Sequence, residues 1–170
     1  VFNGFSSTSG LMSNVLTAAT SEAVPLVGVG RGDVLSWGMN TLTVLHPEQD
    51  YGDAGENSLV IMLSRGDVDV LLMGDTGWDA ENSLLASGQS LTAEVIKLGN
   101  HGAVTSTSAS LLNAVTPEAA IISCGEEPSP VVQGRLTNAD ITMYRTDLQG
   151  NIRIDIGAYG YRIYAETEPA

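Results

Sequence analysis

Two runs near the middle of the chain, residues 58–64 (SLVIMLS) and 68–74 (VDVLLMG), are apolar almost throughout and are separated only by Arg65-Gly66-Asp67. Apolar runs of that length bounded by turn residues read as buried strands, and the short glycine-bearing link reads as a hairpin. Upstream, residues 9–20 (SGLMSNVLTAAT) carry Leu11, Val15 and Leu16 at helical spacing and predict a short amphipathic helix. Residues 24–47 then read as strands in three pieces, VPLVGVG, VLSWG and TLTVLHP, and the polar stretch 48–56 (EQDYGDAGE) as an exposed loop.

Downstream, residues 78–87 suit a helix capped by Asp75 or Thr76, and residues 93–99 (AEVIKLG) a strand. Residues 105–115 (TSTSASLLNAV) predict a second helix, with hydroxyls at its start as caps and Pro117 beyond its end. EAAIISCG follows as a buried-type strand. After the short segment 128–136, the pieces ITMYRT, NIRIDI and YGYRIY make the last strands, with Ile152, Ile154 and Ile156 marking a half-exposed face. Strands and helices interleave, so the class is α/β: a mixed sheet with the helices at 9–20, 78–87 and 105–115 on one side. No repeat or interior boundary divides residues 1–170, which read as a single domain or half-domain with a tail at 165–170.

Charge narrows the classes of partner. One lysine (Lys97) and six arginines face twenty acids, for a net charge of −13 over 170 residues. Such a surface repels polyanions at long range, so unaided nucleic-acid binding is disfavoured, and its simplest use is solubility. Cys124 is the single cysteine, which excludes an internal disulfide and a cysteine-based zinc cluster and reads as a small core residue. No stretch approaches the roughly 18 apolar residues of a membrane span. The first ten residues lack the basic and apolar regions of a signal peptide, and a start on Val reads as trimmed or cut from something longer.

The side chains with metal chemistry are few. Asp75 follows the apolar run LLMG, and His101 follows the next strand in KLGNHGAVTSTS, so successive strand ends would bring a carboxylate and an imidazole to one rim. Read alone, Asp75 is a helix cap and His101 a loop histidine. Gly28-Val29-Gly30-Arg31-Gly32 lacks the Lys-Ser/Thr and the helix of a phosphate loop. Trp37, Trp78, Tyr159, Tyr161 and Tyr164 read as core and sheet-face packing. Asp67, Asp69, Asp79 and Glu81 read as solvated turn and helix-start charges.

The ordered series LHP, NSLVIML, LLMGD, EVIKLGNHG, LLNAVTPEAAIIS and YRTDLQGNIRI resembles the metallo-β-lactamase fold. More narrowly, it resembles the extracytoplasmic hydrolase domain of the competence protein ComEC and its stand-alone relatives, from about residue 9 to residue 156. The resemblance implies the C-terminal half of an αββα sandwich and a two-metal hydrolase, most simply a phosphodiesterase or nuclease. Asp75 and His101 then inherit ligand roles for zinc or manganese, and Asn100, Ser106 and Ser108 border the substrate cleft. The metals would polarise a phosphoryl or carbonyl oxygen and supply a hydroxide nucleophile.

The departures are as informative. The family's His-x-His-x-Asp-His motif is absent, since the chain has only His46 and His101. Asn100 stands where the family has its first histidine of His-His-Gly, His46 falls at a structural strand end, and GEEPSPVV lacks the family's Gly-His-Pro. The resemblance therefore implies a partner, either the N-terminal half of the same fold or another chain, with nucleic acid only as a substrate. The alternatives are a module that has lost its metals and serves in binding or structure, and a hydrolase of small esters, lactams or thioesters. With the single cysteine and the acidic surface, the resemblance leans to a place outside the cytoplasm.

Overall fold

A computed structural model describes residues 1–4, 10–157 and 159–167. Its centre is a seven-stranded sheet whose spatial order follows the sequence: β1 (Val34–Trp37), β2 (Asn40–His46), β3 (Val60–Arg65), β4 (Val68–Leu72), β5 (Val95–Lys97), β6 (Ala119–Ile122) and β7 (Thr142–Arg145). The first four strands are antiparallel neighbours, and β4 through β7 are parallel. Parallel neighbours need crossovers, and here α2 (Trp78–Ala86), α3 (Ala109–Val115) and α4 (Pro130–Asn138) supply them. Crossovers of one hand that advance one strand at a time must all lie on one face.

Side-chain alternation confirms that layering. Leu71, Met73, Ile96, Leu98, Ala120 and Ile122 point to the helices and pack with Leu84 of α2, Leu111 and Val115 of α3, and Val132 and Leu136 of α4. Their neighbours Val70, Leu72, Val95, Ala119 and Ile121 point the other way. There they meet a separate two-stranded sheet, β8 (Ile152–Gly157) paired with β9 (Gly160–Ala165), through Ile154, Ile156, Tyr161 and Ile163. The arrangement is helices, mixed sheet and a small second sheet. The inward residues of β8 and β9 remain only half-buried. Two strands do not cover a face seven strands wide.

Several expectations change. The first helix, α1, spans Gly10–Ser21 (Ser9 lies outside the described residues) and does not pack on the sheet with the others: Val15 and Leu16 are exposed. Residues 24–30 form a single bridge, Phe2 with Gly28, in place of a strand. The segment 128–136 is helical, and a further short helix, α5 (Thr146–Gln149), follows β7. Helix α3 begins at Ala109, four residues later than expected. Trp37, Trp78 and Tyr159 are exposed, outside the core, while Tyr164 stacks beneath Arg153 at 4.8 Å. No helix among the described residues is long and apolar enough to cross a membrane.

His46 shows how the bend after β2 is held. The ring is fully buried, its Nε2–H donates to the Glu56 carbonyl at 2.6 Å, and its Nδ1 faces Glu48 Oε2 at 3.4 Å with no hydrogen bond among the described residues. Burial lowers its pKa from the ordinary 6.5, against a weaker opposing pull from Glu56 and Glu48. Below that ordinary value the unfolded chain binds a proton that the folded ring resists, so stability should decline as pH falls from about 6.5. Urea midpoints between pH 7.5 and 5 should show that slope in the wild type and a flatter one in His46→Gln. Parallel slopes in the two proteins would contradict it.

Candidate functional site

Because β4 and β5 are parallel, with Leu72 opposite Lys97, the chain leaves both strands at the same edge of the sheet. Ligand sites in open α/β sheets lie at such carboxyl ends. After β4 the backbone turns at Gly74 with φ +61°, where a Cβ would meet the Ser58 side chain at 2.8 Å. The Asp75 N–H donates to Ser58 Oγ at 3.2 Å, and the Gly74 carbonyl accepts from Asn100 N–H at 3.2 Å and from Lys97 Nζ at 3.0 Å. The turn after β5 closes onto this one: a Cβ on Gly99 would sit 2.6 Å from the Thr76 carbonyl oxygen. Glycine at 99 is what allows the two loops to touch.

Asn100, His101 and Gly102 then take left-handed backbone conformations in succession, with φ of 42°, 54° and 78°. For the two residues that carry a Cβ this costs about 1–2 kcal/mol each. The surroundings impose it: Ala103 N–H donates to the Asn100 carbonyl at 2.9 Å, and Ser129 N–H to the Gly102 carbonyl at 3.0 Å. Left-handed residues held this way concentrate at functional sites.

The result is a close pair. His101 Nε2 lies 3.4 Å from Asp75 Oδ1, and both side chains are somewhat more than half exposed. His101 Nδ1 is 2.6 Å from the Ser123 carbonyl, which can only accept, so Nδ1 carries the proton. A ring protonated on Nδ1 alone presents the Nε2 lone pair to the carboxylate, and a doubly protonated ring presents Nε2–H to it as an ion pair. Two ligand atoms each about 2.0–2.1 Å from one tetrahedral ion lie about 3.3–3.4 Å apart, and a ligand histidine ordinarily donates its other N–H to a carbonyl or carboxylate. Lys97, whose ammonium is half-buried and held down in pKa by desolvation, contributes positive charge beside Asp75.

The pair is incomplete as a metal site. Among the described residues no group of three or more His, Cys, Asp or Glu side chains could hold an ion. His46 is buried and committed to Glu56. The residues present could offer an ion two ligands at most, Asp75 and His101.

The expected cleft residues divide. Asn100 borders a shallow groove with His101, Ala103 and the 124–129 loop. Ser106 does not face a cleft: it is fully buried, with Oγ on the Gly99 and Ala103 carbonyls at 2.9 Å each. Ser108 caps α3, accepting from Leu111 N–H at 3.1 Å. Helix α2 is capped by neither Asp75 nor Thr76. Glu56 reaches over from the preceding loop and accepts from Gly77 and Ala80 N–H.

Glu81 is the other correction. It is almost fully buried on α2, and its carboxylate accepts from the Thr107 and Ser108 N–H groups at the start of α3, the latter at 2.9 Å. Arg135 of α4 closes the same loop from the opposite side, donating to the Ser106 and Thr107 carbonyls at 3.1 and 2.9 Å. Glu81 lies at the fourth position of an acidic helix start, where the pattern alone signals a solvated charge.

Comparison with known proteins agrees with this architecture. No family profile matches the chain. It is 33% identical over 145 residues to ComE operon protein 3 of Bacillus subtilis, which covers 82% of this chain and 19% of that protein. It is 34% identical over 131 residues to competence protein ComA of Neisseria gonorrhoeae, covering 69% and 19% respectively. Recombination protein 2 of Haemophilus influenzae is 34% identical over 104 residues, 58% of this chain and 13% of that protein. The chain thus spans about a fifth or less of the length of these relatives. Among solved structures, a mutant of the CmlA β-hydroxylase superposes with a TM-score of 0.53 at 13% identity, covering 82% of this chain and 33% of that one. That neighbour is a metallo-β-lactamase-fold protein, so the fold is shared.

Proposed function

Over four-fifths of its length this chain is a homologue of one part of the ComEC-like competence proteins, folded as a metallo-β-lactamase-like domain, and from that we propose that it carries one half of a metal-dependent phosphodiesterase site. The observation that carries the proposal is the 3.4 Å approach of Asp75 and His101, with the imidazole tautomer set by Ser123. A complementary half-domain supplies the remaining ligands and lies against the partly covered sheet face beside β8 and β9.

In this reading Asp75 and His101 hold zinc or manganese, which when bound would polarise a phosphoryl oxygen and lower the pKa of a bound water. Asp75 offers two oxygens on a backbone anchored through Ser58 and Gly74. His101 offers Nε2 with its proton parked on Nδ1. Lys97 partly offsets the Asp75 charge while the site is metal-free. The net charge of −13 disfavours a long polyanion except at a site neutralised by metal, so nucleic acid enters only as substrate.

Two ligands leave most of a coordination sphere to water, so the 170-residue chain alone should bind zinc or manganese weakly and hydrolyse no phosphodiester. Joined to a half-domain carrying His-x-His-x-Asp-His, it should hydrolyse bis(p-nitrophenyl) phosphate and stop when the metal is chelated. Chelator-sensitive turnover by the chain alone would contradict the ligand set. The second reading, a non-catalytic binding or structural module, draws on the same short ligand set and on Asn100 before His101. It predicts no turnover in the joined protein.

A further inference from the structure

The YRTDLQG segment has no part in the pair described above, yet its Thr146 holds the strand end whose Ser123 carbonyl meets the His101 ring. We propose that Thr146 is a positioning residue for His101, acting through the peptide plane between Ser123 and Cys124. The Ser123 carbonyl that receives the His101 Nδ1–H and the Cys124 N–H belong to one peptide group, and a peptide group is planar. Thr146 Oγ1 accepts from that Cys124 N–H at 2.9 Å and donates onward to the Cys124 carbonyl at 2.8 Å. One hydroxyl thus fixes the plane at its amide end, and the imidazole sits at its carbonyl end.

The Cys124 side chain adds a second anchor, with Sγ 3.2 Å from Asp147 Oδ1 and packed against the main core. The plane lies just past the end of β6 at Ile122, and Ser123 and Gly125 on either side of Cys124 are exposed. Thr146 itself is well anchored. It is the first residue of α5, and the Arg145 beside it makes a two-pronged ion pair with Asp147 at 2.7 and 3.1 Å. Arg145 N–H also donates to Gln149 Oε1 at 2.5 Å, and its guanidinium to Gln133 Oε1 of α4 at 2.9 Å. The segment brackets the end of β6, where Thr146 holds the Cys124 backbone and Asp147 its side chain.

The consequence is a tautomer. With the carbonyl aimed at Nδ1, the neutral His101 ring holds its proton there and leaves Nε2 free. Thr146→Val keeps the branched shape and removes the two hydrogen bonds to Cys124 together with a longer one to the Ile122 carbonyl at 3.5 Å. It should shift the Nδ1–H to Nε2–H ratio of His101 about five-fold toward Nε2–H, the scale of one ordinary hydrogen bond. Thr146→Ser should restore it. Long-range proton–nitrogen NMR of the two histidines reads this directly at a pH where both rings are neutral. His46, held as Nε2–H by Glu56, is the internal reference that a general loosening of the fold would also move.

A His101 ratio unchanged in folded Thr146→Val, or moved together with that of His46, would overturn the proposal. Should Thr146→Val fail to fold, Thr146→Ala makes the same comparison without placing a methyl against the Cys124 carbonyl. The value of this tautomer for metal binding rests on the ligand role of His101, but the NMR readout does not. A tautomer shift without any change in zinc affinity would support the positioning role and count against the ligand reading alone.

Discussion

If this chain is joined to a half-domain carrying His-x-His-x-Asp-His, Asp75→Ala and His101→Ala should each lower the phosphodiester hydrolysis proposed for the pair by at least about 100-fold. That is the upper end of what loss of a group one step removed from a metal ligand already costs. The structural reason is that both residues meet at one point, 3.4 Å apart, from loops locked together through the Gly74 carbonyl. Asp75→Asn is the sharper variant. It preserves the turn and the size of the side chain while removing the charge. His46→Gln should leave activity within about three-fold, because His46 is fully buried and its Nε2–H is spent on Glu56. Turnover indifferent to Asp75→Ala would favour the module that has lost its metals.

The second large effect is on stability. Glu81→Ala should destabilise the isolated chain by about 3–5 kcal/mol, since it strips acceptors from two backbone N–H groups at the start of α3 and leaves them without water to replace the loss. It also leaves the Arg135 guanidinium, bonded to the Ser106 and Thr107 carbonyls, without the carboxylate that holds the N–H groups of the same loop. Glu81→Gln retains one acceptor and turns an amide NH₂ toward a donor, for a smaller loss of about 2 kcal/mol. Urea unfolding of the three proteins at neutral pH measures the series. A cost below about 1 kcal/mol for Glu81→Ala would mean that the buried carboxylate contributes no more than a surface one.

Much of this fold is legible in local pattern, because each feature that was readable repeats a short-range rule. The runs at 58–64 and 68–74 are hydrophobic enough to be buried on both faces, and Arg65-Gly66-Asp67 leaves them no geometry but a hairpin. The meeting of Asp75 and His101 follows from parallel strands alone: whatever leaves β4 and β5 leaves at one edge. What stayed hidden depends on partners distant in sequence. Glu56 and Glu81 look like loop and helix-start charges until the helix ends they satisfy, 21–27 residues further on, are in place. Helix α4 offers only Val132 and Leu136 as buried positions, with Gly134 between them, which is too faint a stripe to separate from a loop. The alternation in NIRIDI gives a half-exposed face correctly. It carries no information on whether that face extends the large sheet or lies across it, as β8 and β9 do.

Residues 105–108 show a different kind of concealment. Four hydroxyl residues before SLLNAV signal a helix start, but any of them could be the cap. Ser108 takes that role because Ser106 is drawn into the Gly99 and Ala103 carbonyls and Thr107 is left-handed at φ 57°. The same contacts that delay α3 by four residues brace the loop carrying His101. A local misreading therefore fell where tertiary contacts shape the site.

The central claim is that Asp75 and His101 bind one ion together. Anomalous diffraction from crystals of the joined protein grown with zinc or manganese locates that ion without reference to activity. A peak within about 2.0–2.2 Å of both an Asp75 carboxylate oxygen and His101 Nε2 is the result predicted. A metal held by the complementary half alone, with Asp75 and His101 still facing each other across an unbridged gap, would contradict it.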